Sequence, residues 1–268
     1  MGILPHRLLG RLDRAGSCGL EIWDFSFRSL TREYARLFFL KAVVAHPVKA
    51  ACGLRRYRRF VRAKRDRPDD CAQMTAIPDE ASFIQNVRRA GSPPLLGLGF
   101  CLKPTDAGSP PGPCPAGRAN HECLFLDRGE TVPVCADCAI FEISRLALKK
   151  GCPVYIMTSA KDIARDFMFP QIARDAFPAA ILLLCPYSVQ AIIPPLHICG
   201  VRSLLVPYSS GSCEDYEQWL KADVGIKEER TSLSPEAWQE IRTVLDELRD
   251  CPHAQRRFRR RDNIFCPE

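Results

Sequence analysis

At 268 residues, with 46% hydrophobic and 26% charged side chains, the chain is long enough to bury a core without covalent staples, which excludes a disulfide scaffold and a disordered polymer. Its fourteen cysteines are therefore not needed for stability, and the opening MGILPHRLLGRLDRAG lacks the unbroken apolar stretch and cleavage site of a secretory signal. The net charge of +7 is uneven, +11 over residues 1–67 and −4 over residues 68–268, so any phosphate-seeking character belongs to the N-terminal quarter.

Residues 1–67 read as a basic helical appendage. Glu21 to about Lys64 is expected to form two helices divided near His46-Pro47, with Phe38, Phe39, Val43 and Val44 at helical spacing. Leu54 to Arg67, LRRYRRFVRAKRDR, sets eight basic residues around Tyr57, Phe60 and Val61, an apolar strip beside a basic face. Three readings of this helix stand: a solvated face, a nucleic-acid contact, and a peripheral contact with an anionic membrane through 54–67. Its mixed character favours membrane or a protein partner over nucleic acid. The run Leu37 to Cys52 is interrupted by Lys41, His46, Pro47 and Lys49, too short and too charged to span a bilayer. No lipid anchor is expected, because Gly2 is followed by His6 and Cys266 is third from the end.

Residues 68–94 read as a linker and a short helix, Glu80 to Ala90, closed by Gly91 and Pro93-Pro94. Residues 95–250 read as a cysteine-rich α/β domain. Leu95 to Cys101 is a strand, and 102–134 a Pro/Gly/Cys-rich insertion. Cys138 to Lys150 is a helix, Val154 to Thr158 a strand, Lys161 to Phe169 a helix, and Ala179 to Leu184 a strand. Val189 to Cys199 is a helix despite Pro194-Pro195, Ser203 to Pro207 a strand, and Glu214 to Ala222 a helix. Pro235 to Arg249 is an amphipathic helix with Ser234 as N-cap. Residues 251–268 form a basic tail. This alternation predicts a doubly wound, mostly parallel sheet with helices on both faces.

In an open parallel sheet, ligands bind beyond the carboxyl ends of the strands. Cys101 ends the first strand, Cys185 ends the third, and Cys213 follows the fourth; Cys135 and Cys138 precede the first crossover helix. These five are expected to converge on one crevice as a cofactor site. Cys114 and Cys123, with His121 beside them, extend the metal-ligand set to seven. The insertion holds too little apolar material to fold by burial, so a metal is expected to order it. The helix N-terminus is expected to lower the Cys138 thiol pKa. Cys135-Ala136-Asp137-Cys138 suits either an iron–sulfur cluster, the preferred reading, or zinc. Against this stands the bland account of cysteine as a small buried hydrophobe; that account, or an incidental surface position, is assigned to Cys18, Cys52, Cys152, Cys199, Cys251 and Cys266.

The stretch VCADCAIFEISRLALKKGCPVYIMTS, followed by ILLLCPYS and YSSGSC, resembles an uncharacterised archaeal and bacterial family, a domain of unknown function with N-terminal membrane helices and a cysteine-rich C-terminal domain. The resemblance covers about Leu95 to Ala222. It implies that Cys101, Cys135, Cys138, Cys185 and Cys213 match the family's recurring cysteines. Ala136 stands where the family usually has glycine, and the membrane helices have no counterpart. The family's activity is unknown, so the resemblance implies a site and no reaction.

Other signatures fail. Gly97-Leu98-Gly99 lacks a third glycine, and there is neither a Walker A sequence nor the cysteine triplet of radical enzymes. His197, among Ile192, Ile193, Leu196 and Ile198, reads as a core histidine. Glu142 and Arg145 read as a solvated ion pair, and Asp162, Asp166 and Glu214 as acids without a nucleophile. The chain is thus read as a cytoplasmic metal-binding protein, peripheral to the membrane if its basic helix docks, and serving electron transfer or cofactor-related chemistry with a protein or redox partner. The alternatives are a thiol-dependent redox or sulfur-transfer enzyme working through Cys138, and an interaction protein with a structural metal.

Overall fold

In the computed structural model the described residues are 32–65, 75–77, 83–85, 87–88, 92–105, 113–213, 216–227, 229–248 and 257–268. Helix α1, Arg32–Phe38, runs on through a wide turn, Phe39–Val44, and the chain bends before α2, Pro47–Arg65. The strands are β1 Thr75–Ile77, β2 Leu95–Gly99, β3 Val154–Met157, β4 Ala179–Leu184, β5 Arg202–Pro207, β6 Phe258–Arg261 and β7 Ile264–Pro267. After α2 the helices are α3 Leu124–Arg128, α4 Ala139–Lys149, α5 Ala160–Ile163, α6 Phe169–Arg174, α7 Pro186–Cys199, α8 Tyr216–Asp223 and α9 Pro235–Asp246.

Among the described residues the sheet has seven strands in the order β1-β5-β4-β2-β3-β7-β6. The central four, β5, β4, β2 and β3, are parallel. They are the near-continuous apolar runs that a strand covered on both faces requires. The fold is α/β, but the sheet is mixed: β1 is antiparallel to β5, and β7 is antiparallel to both β3 and β6. The expected mostly parallel sheet is corrected at both edges. Sequence reading missed these edges because β1 lies in a polar linker, and β6 and β7 make a hairpin out of the basic tail, with Arg259, Arg260 and Arg261 on its exposed side.

Successive residues of the central strands feed two cores, as a period of two demands. Leu96, Leu98, Ile156, Ile181, Leu183 and Val206 pack with Ile140 and Ile143 of α4 and Ile241 and Val244 of α9. Tyr155, Met157, Ala180, Leu182, Leu184 and Leu205 pack with Ile192 and Leu196 of α7, Tyr57 of α2 and Phe38 of α1. The expected strip of Tyr57, Phe60 and Val61 thus faces inward. Gly53 permits this approach, since a Cβ there would lie 2.4 Å from the carbonyl oxygen of His197. Burying two aromatic side chains such as Phe38 and Tyr57 contributes roughly 4 kcal/mol, so α1 and α2 are part of the second core.

His197 is a core residue. Its ring packs on Tyr57 and Phe60, its carbonyl accepts from Arg56 at 3.1 Å, and burial, then the Arg56 charge, pushes its pKa down to about 4. No single helix among the described residues is long and apolar enough to cross a membrane.

Candidate metal centre

The seven candidate thiols are all described, and they divide between two cavities. Cys114, Cys123, Cys135 and Cys138 line one of about 20 Å³ with Lys103, Pro104 and Phe141. Cys101, Cys185 and Cys213 line another of about 120 Å³ beyond the carboxyl ends of β2, β4 and β5. The expected single crevice is corrected. Cys135 and Cys138 precede the crossover helix on the side of the insertion, and they join its thiols instead of the strand-end thiols.

The four-thiol cage is made by loops. Pro133–Asp137 is a short 3₁₀ helix, closed by Cys138 N–H on the Cys135 carbonyl at 3.1 Å. In such a helix, side chains three apart eclipse, which brings Cys135 and Cys138 to one side. Cys114 opens a tight turn ending at Gly117, whose φ of +78° suits glycine alone. Cys123 is the N-cap of α3, its N–H donating to Asp127 at 2.9 Å.

Lys103 orders this insertion. Only 1% exposed, its ammonium donates to the carbonyls of Gly117, Asn120 and Glu122 at 2.9, 3.1 and 2.7 Å and to Asn120 Oδ1 at 2.6 Å. Burial lowers its pKa, and the thiols of Cys114, Cys123 and Cys138 oppose that when ionised. Without metal, burial pushes Cys123 up to about 11 and Cys138 up as well. The expectation for Cys138 is therefore corrected: the first N–H groups of α4 favour its thiolate, but desolvation outweighs them.

The strand-end group rests on the sheet. Gly99 has no Cβ because one would meet the Tyr208 hydroxyl at 2.4 Å and Cys101 Sγ at 3.2 Å. Tyr208 accepts from the Gly99 N–H at 3.1 Å and donates to the Leu183 carbonyl at 2.5 Å, tying β5 to β2 and β4 beneath the thiols. Cys185 Sγ is 2.9 Å from Ser188 Oγ, which accepts from Trp219 Nε1 at 2.8 Å. Lys227 Nζ lies 3.9 Å from Cys213 Sγ, with its side chain 3% exposed. The Cys213 thiol and burial hold the Cys185 pKa well up, while the Cys185 thiol and the Lys227 charge bring Cys213 down to about 7. Burial raises the Cys101 thiol. The nearby Thr231 hydroxyl is buried with no hydrogen-bond partner among the described residues.

Residues 229–231 bridge the two groups. The Thr231 N–H donates to the Cys101 carbonyl at 3.1 Å. Arg118, from the cage loop, donates to the Glu229 carbonyl, and Arg230 donates to the Asp137 carbonyl.

As the side chains stand, no three His, Cys, Asp or Glu groups among the described residues are close enough together to hold a metal ion. Each thiol group nevertheless has the donor type of a metal site, shares one cavity and has a buried lysine beside it.

The remaining candidates fall outside both groups. His121 is not a cage ligand: its Nδ1 meets the Ile156 carbonyl at 2.7 Å, its Nε2 meets Thr158 Oγ1 at 3.2 Å, and it stacks on Tyr155. Asp162 caps α5 with Ser159 and pairs with Arg165, and Asp166 accepts from Tyr155 and Asn263. Glu142 pairs with Arg242, and Arg145 lies over Phe141 instead. Cys152 and Cys199 are buried, and burial raises each to about 12. Cys52 is exposed and Cys266 half-buried, whereas Cys18, Cys251 and Glu214 lie outside the described residues. Lys103, Lys227, Tyr208, Ser188 and Trp219 were not singled out from sequence. A lysine two residues after a candidate ligand in Cys101-Leu102-Lys103 was the available signal for the first.

Comparison with protein-family models, curated proteins and solved structures finds no match.

Proposed function

We propose that this is a metal-binding α/β protein. In this reading Cys114, Cys123, Cys135 and Cys138 close around a zinc ion, and Cys101, Cys185 and Cys213 hold an iron–sulfur cluster at the carboxyl edge of the sheet. The cluster serves electron transfer or cofactor-related chemistry. One observation carries it: each thiol group has a buried lysine, Lys103 or Lys227, beside it. Lys103 donates to neutral oxygens and Lys227 pairs at 3.6 Å with Glu229, which is largely exposed; a buried ammonium gains from further negative charge, and metal-bound thiolates would supply it. The cavity volumes support the division, about 20 Å³ suiting one ion and about 120 Å³ suiting a larger group.

Purification without oxygen, with iron, sulfide and zinc analysis and an absorption spectrum, tests this. Iron and sulfide in equal amounts, with one zinc per chain, are the expected result; a folded, anaerobic sample free of all three overturns it.

The Cys185–Cys213 contact favours a second reading, a dithiol redox or sulfur-transfer enzyme. Lowered to about 7 beside Lys227, Cys213 is the better nucleophile of the pair, in place of Cys138. A metal-free, folded protein whose two thiols form a reversible disulfide would establish this alternative.

The contact with an anionic membrane is assigned to a different surface from the apolar strip, which is buried. Phe39 (57% exposed), Leu40 (48%), Val44 (54%) and Val48 (76%) cluster where the chain turns by 106°. Arg55, Arg59 and Arg62 continue from Val48 along the exposed face of α2. Arg55→Ala with Arg59→Ala should weaken binding to phosphatidylserine vesicles by about 2 kcal/mol, roughly 30-fold; unchanged binding, or none by the intact protein at low salt, removes this contact.

A further inference from the structure

The cavity beyond the strand ends has two ends. At one, Cys101, Cys185 and Cys213 stand with Lys227, whose charge is set against Cys213 Sγ at 3.9 Å and the Glu229 carboxylate at 3.6 Å. At the other, Asp223 closes α8 and is bonded to the start of α5. Tyr34 of α1 feels the charge of Asp223, and Asp223 feels that of Asp162.

Around this second end the charges are balanced except one. Asp162 pairs with Arg165 at 2.8 Å. Asp223 accepts from the Ala160 N–H through Oδ1 at 2.7 Å; among the described residues its other oxygen has no partner and no cation pairs with it. Burial raises its pKa, the Ala160 N–H lowers it and the Asp162 charge raises it again. A carboxylate left half-buried in this way is costly, and a cation relieves the cost. The neighbouring wall offers a ligand little but burial: Met157, Ile163, Met168, Ile192 and Pro195, with the ring of Tyr34. Its volume of about 120 Å³ is close to that of the roughly 150 Å³ apolar cavities that admit benzene.

We propose that this end of the cavity binds a small primary amine with a compact apolar body, its ammonium on Asp223 and its body against Met168 and Ile192. A charge-assisted hydrogen bond fixes the head and burial holds the body. An anionic head is disfavoured, because it would face Asp223 and, behind it, Asp162. The inference goes beyond the metal reading and does not draw on it: the amine meets α1, α5, α7 and α8, whereas the three thiols follow β2, β4 and β5. From β2 the chain passes to its neighbour β3 on one side and then to β4 on the other, the reversal point where open α/β sheets bind ligands.

The test is calorimetric titration of the full-length protein with benzylamine, protonated at neutral pH, and with benzyl alcohol, which has the same shape and no charge. The wild type should bind benzylamine roughly 10- to 100-fold more tightly, the range of a hydrogen bond between charged groups. Asp223→Asn keeps an oxygen for the Ala160 N–H; it should weaken benzylamine by the same factor and leave benzyl alcohol unchanged. Ile192→Trp, which fills the cavity, should lose both ligands, and Ala222→Phe, on a different wall, carries the same expectation if Ile192→Trp fails to fold. Equal binding of the two ligands by the wild type, or benzylamine binding unchanged in Asp223→Asn, overturns recognition of the ammonium. No binding of either ligand by the wild type overturns the site, and benzylamine binding that survives a filled cavity overturns its place. None of these readouts involves iron, sulfide or zinc, so metal analysis decides the metal reading separately.

Discussion

The four-thiol cage and the strand-end trio both bury cysteines beside a lysine, yet they are built from different parts of the chain. The trio sits on the sheet: Cys101 and Cys185 follow strands that pair in register, Leu98 opposite Leu183, and Tyr208 pins them from β5. The cage is held by turns, a 3₁₀ helix and the four oxygens around Lys103. A hydrophobic core of both sheet faces supports the first; the second meets one of those cores through Cys123, Leu126 and Cys138, but the loop from Cys114 to Glu122 rests on Lys103 and, in the metal reading, on the ion. The trio should therefore keep its backbone geometry without metal, and the cage should not.

The largest expected effect comes from separating the two. Cys135→Ser should abolish zinc binding and leave the iron, because a hydroxyl replaces a thiolate poorly; Cys185→Ser should do the reverse. Metal analysis of both variants decides the matter, and loss of both metals from each would mean that the two groups act as one site. Zinc removal by a chelator should also open residues 113–137 to protease cleavage while the central strands stay protected from hydrogen exchange.

The next effect tests how the cage is held. Lys103→Met leaves the carbonyls of Gly117, Asn120 and Glu122 buried without a donor and should cost about 3 kcal/mol of stability, read as a lower urea midpoint. Lys227→Met should cost less, since its carboxylate partner Glu229 is largely exposed. Equal losses would contradict the claim that the sheet alone supports the trio.

The smallest effect is a titration. In metal-free protein, alkylation of Cys213 should rise with pH through about 7. Because an ammonium favours the thiolate, Lys227→Met should move that midpoint upward and slow alkylation at neutral pH, while leaving alkylation of Cys135 unchanged. A midpoint that does not move would remove Lys227 from the site.

Much of the central architecture was legible in the sequence. Leu95, Val154, Ala179 and the run from Arg202 open apolar stretches of strand length because strands covered on both faces need nothing else. Ser234 and Pro235 announce α9, and Ser234 Oγ does accept from the Ala237 N–H at 3.1 Å. The edges were not legible. Thr75–Ile77 is too short to show a period, and Phe258–Arg261 is a strand with arginine on its solvent side, where composition suggested a tail.

The sequence by itself determined that seven cysteines follow strands, turns and a helix start in an α/β chain. It also marked the N-terminal quarter as basic. Only the tertiary structure decided which thiols are neighbours, because a Cys-x-x-Cys pair before a crossover helix can face either the strand ends or the preceding loop, and the path of 113–137 settles that through contacts distant in sequence. It also decided which face of α2 is free: Gly53 lets the aromatic strip close on α7, so the residues left to meet solvent are the arginines and the apolar bend.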